Sequence, residues 1–257
     1  MLPSIYISHG SPALCLSKYK SATFLKELPE LFEKPKYIII ISAHWITKEL
    51  RILANPNPNI IYDFYGFPKE LYDKKYPIKN DLGKVDEIVK EFNKRNISIL
   101  KDDKHEGYDH GIWAPLSLMY PDAIIPVIQI SLPIYYSAKE LINIGEVLQE
   151  FRNEALVIGS GTLTHNLRAS LREVDAPVEI YAKKFRDWIV SRVEEGDTAS
   201  LSNYLLNAPE IYNNHPTLEH LLPFFITLGS SKNRKAKVLN NEFMYGNQAM
   251  DCIFFND

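Results

Sequence analysis

Histidines dominate the residues of this chain that could do chemistry, and three of the seven stand at or shortly after the ends of apolar runs. These three are His9, His44 and His165. Ligands of open α/β sheets bind outside the carboxyl ends of the strands, so we expect the three side chains to face one cleft. Imidazole nitrogens bind divalent metals and also exchange protons near neutral pH. The pattern therefore predicts a metal site or an acid/base cleft.

His9 lies in the segment Ser8-His9-Gly10, and the Ser11-Pro12 pair that follows stops the strand from continuing. Gly10 permits a tight turn, which can aim the imidazole into a cleft from a rigid base. A turn histidine bonded to the backbone is the alternative. The local sequence leaves both interpretations open.

His44 lies in Ser42-Ala43-His44-Trp45, directly after the apolar run Tyr37–Ser42. A polar ring in that position is costly to bury unless its nitrogens find partners. A metal would satisfy one nitrogen and an outer acceptor the other. A hydrogen-bonded core histidine without a metal is the alternative.

His220 precedes the apolar segment Leu221–Phe225, and Thr217 is a candidate N-cap for a helix that starts before it. Both Glu219 and His220 are suitable metal ligands, but neighbours on a helix point about 100° apart, so we expect only one to bind. Glu219 could instead interact with the helix dipole. We expect His215, which precedes a proline, to be a solvated loop residue.

The glycines of Gly159–Thr162 allow close backbone approach to a ligand, but they form neither a phosphate loop nor a dinucleotide fingerprint. His165 follows them as a candidate acid/base, with a capping or loop role as the alternative. His110 could be oriented by the adjacent Asp109 or could cap a turn. We expect His105 to be a surface residue.

Short apolar runs alternate with amphipathic segments along the chain. The strand-like runs are Ile5–Ile7, Tyr37–Ser42, Ile97–Leu100, Ile124–Ile130 and Ala155–Ile158. The predicted helices span roughly 20–33, 81–94, 137–151, 176–194 and 217–228. This alternation predicts an α/β fold with a mainly parallel central sheet and helices on both faces, in one domain over residues 1–257.

Composition narrows the class of protein. The chain is 46% hydrophobic and 24% charged with a net charge of -3, which indicates a folded protein and predicts no nucleic-acid partner. Two cysteines, Cys15 and Cys252, are too few for a disulfide framework and suit a reducing compartment. With no signal peptide or membrane span apparent, we expect a cytoplasmic protein with a small-molecule ligand. The sequence does not set the oligomeric state.

Several short motifs occur together and span nearly the whole chain. They are Ser8–Pro12, Ser42–Trp45, Tyr62–Pro68, Asp109–Gly111, Met119–Pro121, Gly159–Gly161 with Thr164–Leu167, and Pro216–His220. In this order they resemble the class III extradiol ring-cleavage dioxygenases, specifically the 4,5-DOPA dioxygenase (LigB-like) branch. The resemblance implies a compact α/β domain that cleaves a catecholic substrate with O2 to a muconic semialdehyde.

The resemblance also implies a mononuclear metal site with His9, His44 and His220 as ligands. Fe²⁺ would be the metal for activity and Zn²⁺ a frequent occupant. Members of the wider group use a carboxylate as third ligand, so Glu219 is the alternative to His220.

Three further residues receive roles from the same resemblance. His165 would be the acid/base histidine, and His110 would join it as a catalytic residue. Asp109 would lie in the substrate pocket or directly behind it. Which catechol is cleaved is left open.

Two other functions fit the same histidines. A zinc hydrolase could use them to activate water, with Glu219 or His165 as general base. A non-catalytic relative could keep the cleft without turnover. A purely structural zinc site is disfavoured because such sites usually have four protein ligands that include cysteine.

Overall fold

Consecutive isoleucines form the centre of the sheet. In the computed structural model, which describes residues 1–257, Ile39 and Ile41 pack into one hydrophobic core while Ile38 and Ile40 pack into another. Successive side chains of a strand point to opposite faces, so an unbroken apolar run needs both faces covered. The prediction of a strand buried on both sides is confirmed.

Twelve strands occur along the chain. They are β1 (Ser4–Ser8), β2 (Tyr37–Thr47), β3 (Arg51–Leu53), β4 (Asn59–Ile60), β5 (Leu100–Asp102), β6 (Gly107–Tyr108), β7 (Val127–Pro133), β8 (Ala155–Gly161), β9 (Lys237–Leu239), β10 (Phe243–Met244), β11 (Gln248–Ala249) and β12 (Cys252–Phe255). Eight of them form one sheet in the order β5-β3-β7-β2-β8-β1-β12-β9. The central strands β7, β2, β8 and β1 are mutually parallel, so their carboxyl ends share one edge.

Ten α-helices accompany the strands. They are α1 (Lys20–Glu27), α2 (Lys69–Asp73), α3 (Leu82–Lys94), α4 (His110–Met119), α5 (Ala138–Leu148), α6 (Ile180–Glu195), α7 (Thr198–Ser202), α8 (Tyr204–Asn207), α9 (Ile211–Asn214) and α10 (Pro223–Ser230). Short 3-10 turns cover Pro12–Leu16, Leu28–Leu31, Gln149–Phe151 and Leu167–Ala169. Helices α1 and α4 contribute to one core, and α3, α5, α6 and α10 to the other.

The predicted α/β fold with a mainly parallel sheet flanked on both faces is therefore confirmed, while several boundaries differ. The strand predicted at Ile97–Leu100 forms at Leu100–Asp102, and the one at Ile124–Ile130 begins at Val127. The helix predicted at 176–194 starts only at Ile180. Organisation as one domain over residues 1–257 stays a prediction. None of the helices combines the length and the apolar character that crossing a membrane would require.

Candidate metal centre

His9 stands directly after β1, at the edge where the parallel strands end. Its backbone N–H donates to the carbonyl of Gly161 at 2.8 Å, which ties it to the end of the neighbouring strand β8. Gly10 has φ +62, so the chain turns away through a conformation that favours glycine. The imidazole is buried, at 2% exposure. The predicted tight turn therefore holds the ring inside the protein.

His44 lies within β2 and not beyond its end, which corrects the expectation that the strand stops at Ser42. Pairing with β7 shifts between Ile41 and Ile46, because five steps along β2 match only two along β7. Such a bulge bends a strand and redirects its side chains, and bulges are frequent beside functional sites. His44 lies within this irregular stretch.

His220 lies in a turn, which corrects the prediction of a helix capped at Thr217. Residues 217–222 form turns and α10 begins only at Pro223. The carbonyl of His220 accepts hydrogen bonds from the Tyr6 hydroxyl at 2.7 Å and from the Thr162 N–H at 3.2 Å. One side-chain hydroxyl and one backbone N–H from outside the helix thus fix the residue in place.

Gly161 explains how this turn reaches the sheet. A Cβ on Gly161 would lie 2.0 Å from the His220 carbonyl oxygen, and one on Gly159 would lie 2.6 Å from the Pro223 carbonyl. The predicted close approach is therefore real, but its partner is the chain around His220 and not a ligand.

The three predicted ligands meet in one cluster. Ring centroids are 5.1 Å apart for His9 and His44, 5.4 Å for His9 and His220, and 5.0 Å for His44 and His220. Three imidazoles that bind one ion through metal–nitrogen bonds of about 2.1 Å place their centroids roughly 5 Å apart. The Nε2 atoms of His9 and His44 are already 3.2 Å apart. The rings have the spacing that a shared divalent ion needs.

Other ligand sets are geometrically possible around the same point. Ligand atoms of His9, His44 and His110 lie within 4.8 Å of one another, and so do those of His165, Glu219 and His220. The predicted set takes two members from the first group and one from the second. The choice among these sets stays a prediction.

Hydrogen-bond acceptors beside the rings of His9 and His220 determine which ring nitrogen carries the proton. Ser160 donates its hydroxyl hydrogen to the Gly111 carbonyl, so toward His9 Nδ1, 2.9 Å away, it can only accept. Glu219 Oε1 accepts from His220 Nδ1 at 3.1 Å. Both rings therefore carry the proton on Nδ1 and keep a lone pair on Nε2, the arrangement of a metal ligand with an outer partner.

The hydrogen bond from His220 Nδ1 to Glu219 also separates the roles of these two residues. An oxygen bonded to Nδ1 lies behind the ring as seen from Nε2. The geometry therefore favours a role for Glu219 in orienting the His220 ring. It disfavours Glu219 as a metal ligand beside His220.

Burial keeps the clustered imidazoles uncharged. It lowers the pKa of His9 and of His220 well below the usual range, and the neighbouring histidines lower both further. Burial, followed by the proximity of His110, lowers the pKa of His44 to about 3. Metal ligation requires the neutral ring, so these histidines are ready to bind a cation at neutral pH. A set of imidazole donors suits iron and zinc alike.

Two further histidines flank the cluster on opposite sides. The ring of His165 stacks on His220 with centroids 3.5 Å apart, and the ring of His110 lies 4.1 Å from His44. Burial lowers the pKa of His165, so this ring is neutral at pH 7. His110 is the first residue of α4 and donates from Nδ1 to Asp63 at 2.9 Å. The predicted acid/base residues thus stand beside the predicted ligands.

Asp63 is the functional residue that the sequence analysis missed. Its carboxylate accepts from the ring and from the backbone N–H of His110, and it lies 3.6 Å from His44 Nδ1. Burial raises the pKa of Asp63, but the hydrogen bonds from His110 outweigh it and leave the pKa below its usual value. The only available signal was its place inside the Tyr62–Pro68 motif, where no spacing pointed to a histidine partner.

Asp109 stands behind the site. It is 3% exposed, and its carboxylate accepts from the Ser42 hydroxyl at 2.6 Å and from Gln129 Nε2 at 3.1 Å. Burial raises its pKa to about 6. Asp109 does not line the cavity described below, so of the two positions expected for it the one behind the pocket agrees with the structure.

Two other histidines differ from expectation. His215 is buried at 1% exposure and pairs Nε2 with the Leu163 carbonyl at 2.9 Å, so it is not a solvated loop residue. His105 is half-buried because it stacks on Trp45 with centroids 4.2 Å apart. Neither ring joins the cluster.

A cavity of about 410 Å³ opens onto the cluster. The five histidines His9, His44, His110, His165 and His220 all line it. Its volume falls in the range of small-molecule sites.

Replacement of Asp63 by asparagine tests whether this carboxylate holds the site together. We expect Asp63→Asn to weaken Zn²⁺ binding about 10- to 100-fold, because partners of this kind orient metal-site histidines. Chelator-competition titration measures the affinity. Asp73→Asn is the matched control, since Asp73 is exposed and paired only with Lys69. Wild-type Zn²⁺ affinity in Asp63→Asn would contradict the role.

His215 predicts an acid-sensitive contribution to stability. Burial lowers its pKa to about 4, and its Nδ1 has no hydrogen-bond partner. The unfolded chain takes up the proton near pH 6.5 and the folded chain only near 4, so stability falls as the pH drops through that window. In metal-free protein the loss from this residue between pH 7 and pH 5 is about 2 kcal/mol.

His215→Gln removes the titration and keeps a donor for Leu163. We expect urea unfolding to show a smaller loss of stability from pH 7 to pH 5 in the variant than in the wild type. Equal losses in both proteins would show that folding does not lower the pKa of His215.

Comparison with known proteins identifies the family of the chain. The family model described as the catalytic LigB subunit of aromatic ring-opening dioxygenase matches residues 4–250. A 4,5-DOPA dioxygenase extradiol from Beta vulgaris is 33% identical over 245 residues, covering 93% of this chain and 91% of that protein. A protein of the same name from Escherichia coli K12 is 31% identical, with 89% and 85% covered.

A solved structure supports the fold alone. The crystal structure of an uncharacterized protein from Escherichia coli K12 has a TM-score of 0.81 at 23% identity and covers 100% of both chains. With the family model matched over nearly the whole chain and relatives above 30% identity, the protein belongs to the LigB family of aromatic ring-opening dioxygenases.

Proposed function

We propose that this protein is a metal-dependent extradiol dioxygenase that opens the ring of a catechol beside its two hydroxyl groups. Both atoms of one O2 enter the product, a muconic semialdehyde. The observation that carries the proposal is the cluster of neutral histidines at the cavity, where His9 and His44 face each other through Nε2 atoms 3.2 Å apart.

The donor set fits a metal. His9 Nε2 carries a lone pair because its Nδ1 donates to Ser160, and His44 Nε2 faces it at 3.2 Å. Two such atoms stay together only with a proton or a cation between them. We propose His9, His44 and His220 as the residues that hold the metal, with Glu219 orienting His220.

A bound iron(II) would supply redox chemistry and open positions for two catechol oxygens and O2, whereas zinc would supply binding without redox chemistry. Three protein ligands leave those positions free. We therefore propose Fe²⁺ as the metal for activity and Zn²⁺ as a possible occupant without turnover.

His165 is the proposed acid/base residue. Its ring is neutral and lines the cavity, so a nitrogen of the ring can take a proton from a catechol hydroxyl and return it later. Positioned proton transfer of this kind typically contributes about 100- to 10,000-fold to a rate. Because the ring stacks on His220, its distance from the metal ligands is fixed.

His110 is proposed as the second catalytic histidine, with a different task. Asp63 holds the proton on its Nδ1, so Nε2 faces the cavity as an acceptor for a substrate hydroxyl. Hydrogen bonds to both the ring and the backbone N–H fix its orientation. We propose that His110 positions the catechol while His165 exchanges the proton.

Anaerobic reconstitution with Fe²⁺ tests the proposed reaction. After exposure to air with a panel of catechols, we expect a yellow semialdehyde chromophore and the consumption of one O2 per catechol. The same protein loaded with Zn²⁺ is the control and should give neither signal. Iron-loaded protein that produces no colour and takes up no oxygen with any catechol would refute the proposal and leave the hydrolase or the non-catalytic relative.

Two alanine variants separate the proposed ligands from the proposed acid/base residue. His44→Ala should lose metal and turnover together. His165→Ala should keep metal and catechol binding while turnover falls about 100-fold or more. Metal analysis by mass spectrometry and binding by calorimetry make the distinction, and equal metal loss in both variants would overturn it.

A further inference from the structure

The outer part of the cavity is apolar. Five hydrophobic side chains line it: Phe64, Phe67, Leu167, Leu171 and Tyr245. Leu167 and Leu171 remain 61% and 38% exposed, so the wall presents two large apolar side chains to solvent beside the histidine cluster. Covering them with an apolar group removes that surface from water. The wall is therefore built to contact a nonpolar part of a ligand.

The backbone holds this wall in place before any ligand binds. Tyr245 has φ 55, a left-handed conformation that is uncommon for an aromatic residue. Its N–H donates to the Val174 carbonyl at 2.8 Å, and its carbonyl accepts from Leu171 N–H at 2.9 Å. Backbone strain of this kind persists where the surroundings enforce it, often at ligand sites.

Two polar residues of this region, Ser170 and Gln248, are hydrogen-bonded to each other. Gln248 Nε2 donates to the Ser170 hydroxyl at 3.2 Å, and Ser170 bonds Asn247 Oδ1 at 2.8 Å. None of the residues lining the cavity is Lys, Arg, Asp or Glu. The nearby carboxylates of Asp63 and Glu219 are bonded to histidines. A carboxylate brought here by a ligand would meet no lysine or arginine in the lining and would lose hydration without an ion pair in return.

We propose that the pocket selects catechols whose ring substituent is uncharged and apolar, such as an alkyl or aryl group, over catechols with a charged side chain. This inference rests on the proposed function and names its substrate class. It departs from the zwitterionic DOPA in the relatives' name.

A matched pair of substrates tests the selectivity. In 4-propylcatechol and 3-(3,4-dihydroxyphenyl)propionate the side chains have similar reach and differ in the carboxylate, and L-DOPA adds an ammonium group. We expect kcat/KM for 4-propylcatechol to exceed that for either charged compound by at least about tenfold. A preference for the propionate or for L-DOPA would overturn the proposal.

Binding to the zinc-loaded protein separates this inference from the reaction itself. The dissociation constants should follow the same order without any turnover. If no catechol is cleaved but this order of affinity holds, the selectivity stands while the proposed reaction falls. If all three compounds bind equally, the selectivity is wrong whatever the activity.

Leu171→Arg places a cation in the wall and should shift the ratio of kcat/KM toward the propionate by roughly tenfold. Leu206→Arg adds the same charge at an 88% exposed position outside this wall and should leave the ratio unchanged.

Arg168 and Arg172 are exposed and follow two of the wall residues. The double variant Arg168→Ala/Arg172→Ala should not change the ratio, and a selective loss of propionate turnover would show that the rim recognises a carboxylate.

Discussion

The crowding of neutral imidazole rings in one buried place is the constraint on which the site depends. Protonation of any ring would add a charge beside the others without water to screen it, which is why burial and mutual proximity lower the pKa values of His9, His44 and His220. Acceptors behind His9 and His220 hold their protons on Nδ1 and turn Nε2 inward. The rings of His9 and His220 therefore keep lone pairs on Nε2, the donor atoms that a bound cation would need.

The fold brings distant segments of the chain into contact at the place where the histidines cluster. The parallel strands β1 and β8 end side by side, and the His9 N–H joins them at their carboxyl ends. Gly161 then admits the carbonyl of His220 so closely that a methyl group would not fit. Ligand positions on rigid elements keep their geometry better than positions on free loops. The His220 turn gains comparable rigidity from Tyr6 and Thr162, which both donate to its carbonyl.

Local sequence patterns predicted those features of the fold and the site that depend on residues close together in the sequence. The unbroken isoleucine run of β2 required a strand covered on both faces, and the histidines after apolar runs pointed to the sheet edge. The bulge that carries His44 and the turn before α10 could not be predicted in this way, because pairing with β7 and contact with Gly161 set them. Asp63 was missed for the same reason, since its partner His110 lies 47 positions along the chain.

His110 and His165 both flank the cluster, but their environments differ, and this difference has a chemical consequence. His110 has a carboxylate behind it, so its proton stays on Nδ1 and its free nitrogen accepts. His165 has no bonded carboxylate; its backbone N–H is held by the Asn214 carbonyl while its ring stacks on His220. A ring whose tautomer is not locked can both take and release a proton. From this asymmetry we propose that His110 orients the substrate and His165 exchanges the proton, within a single cavity.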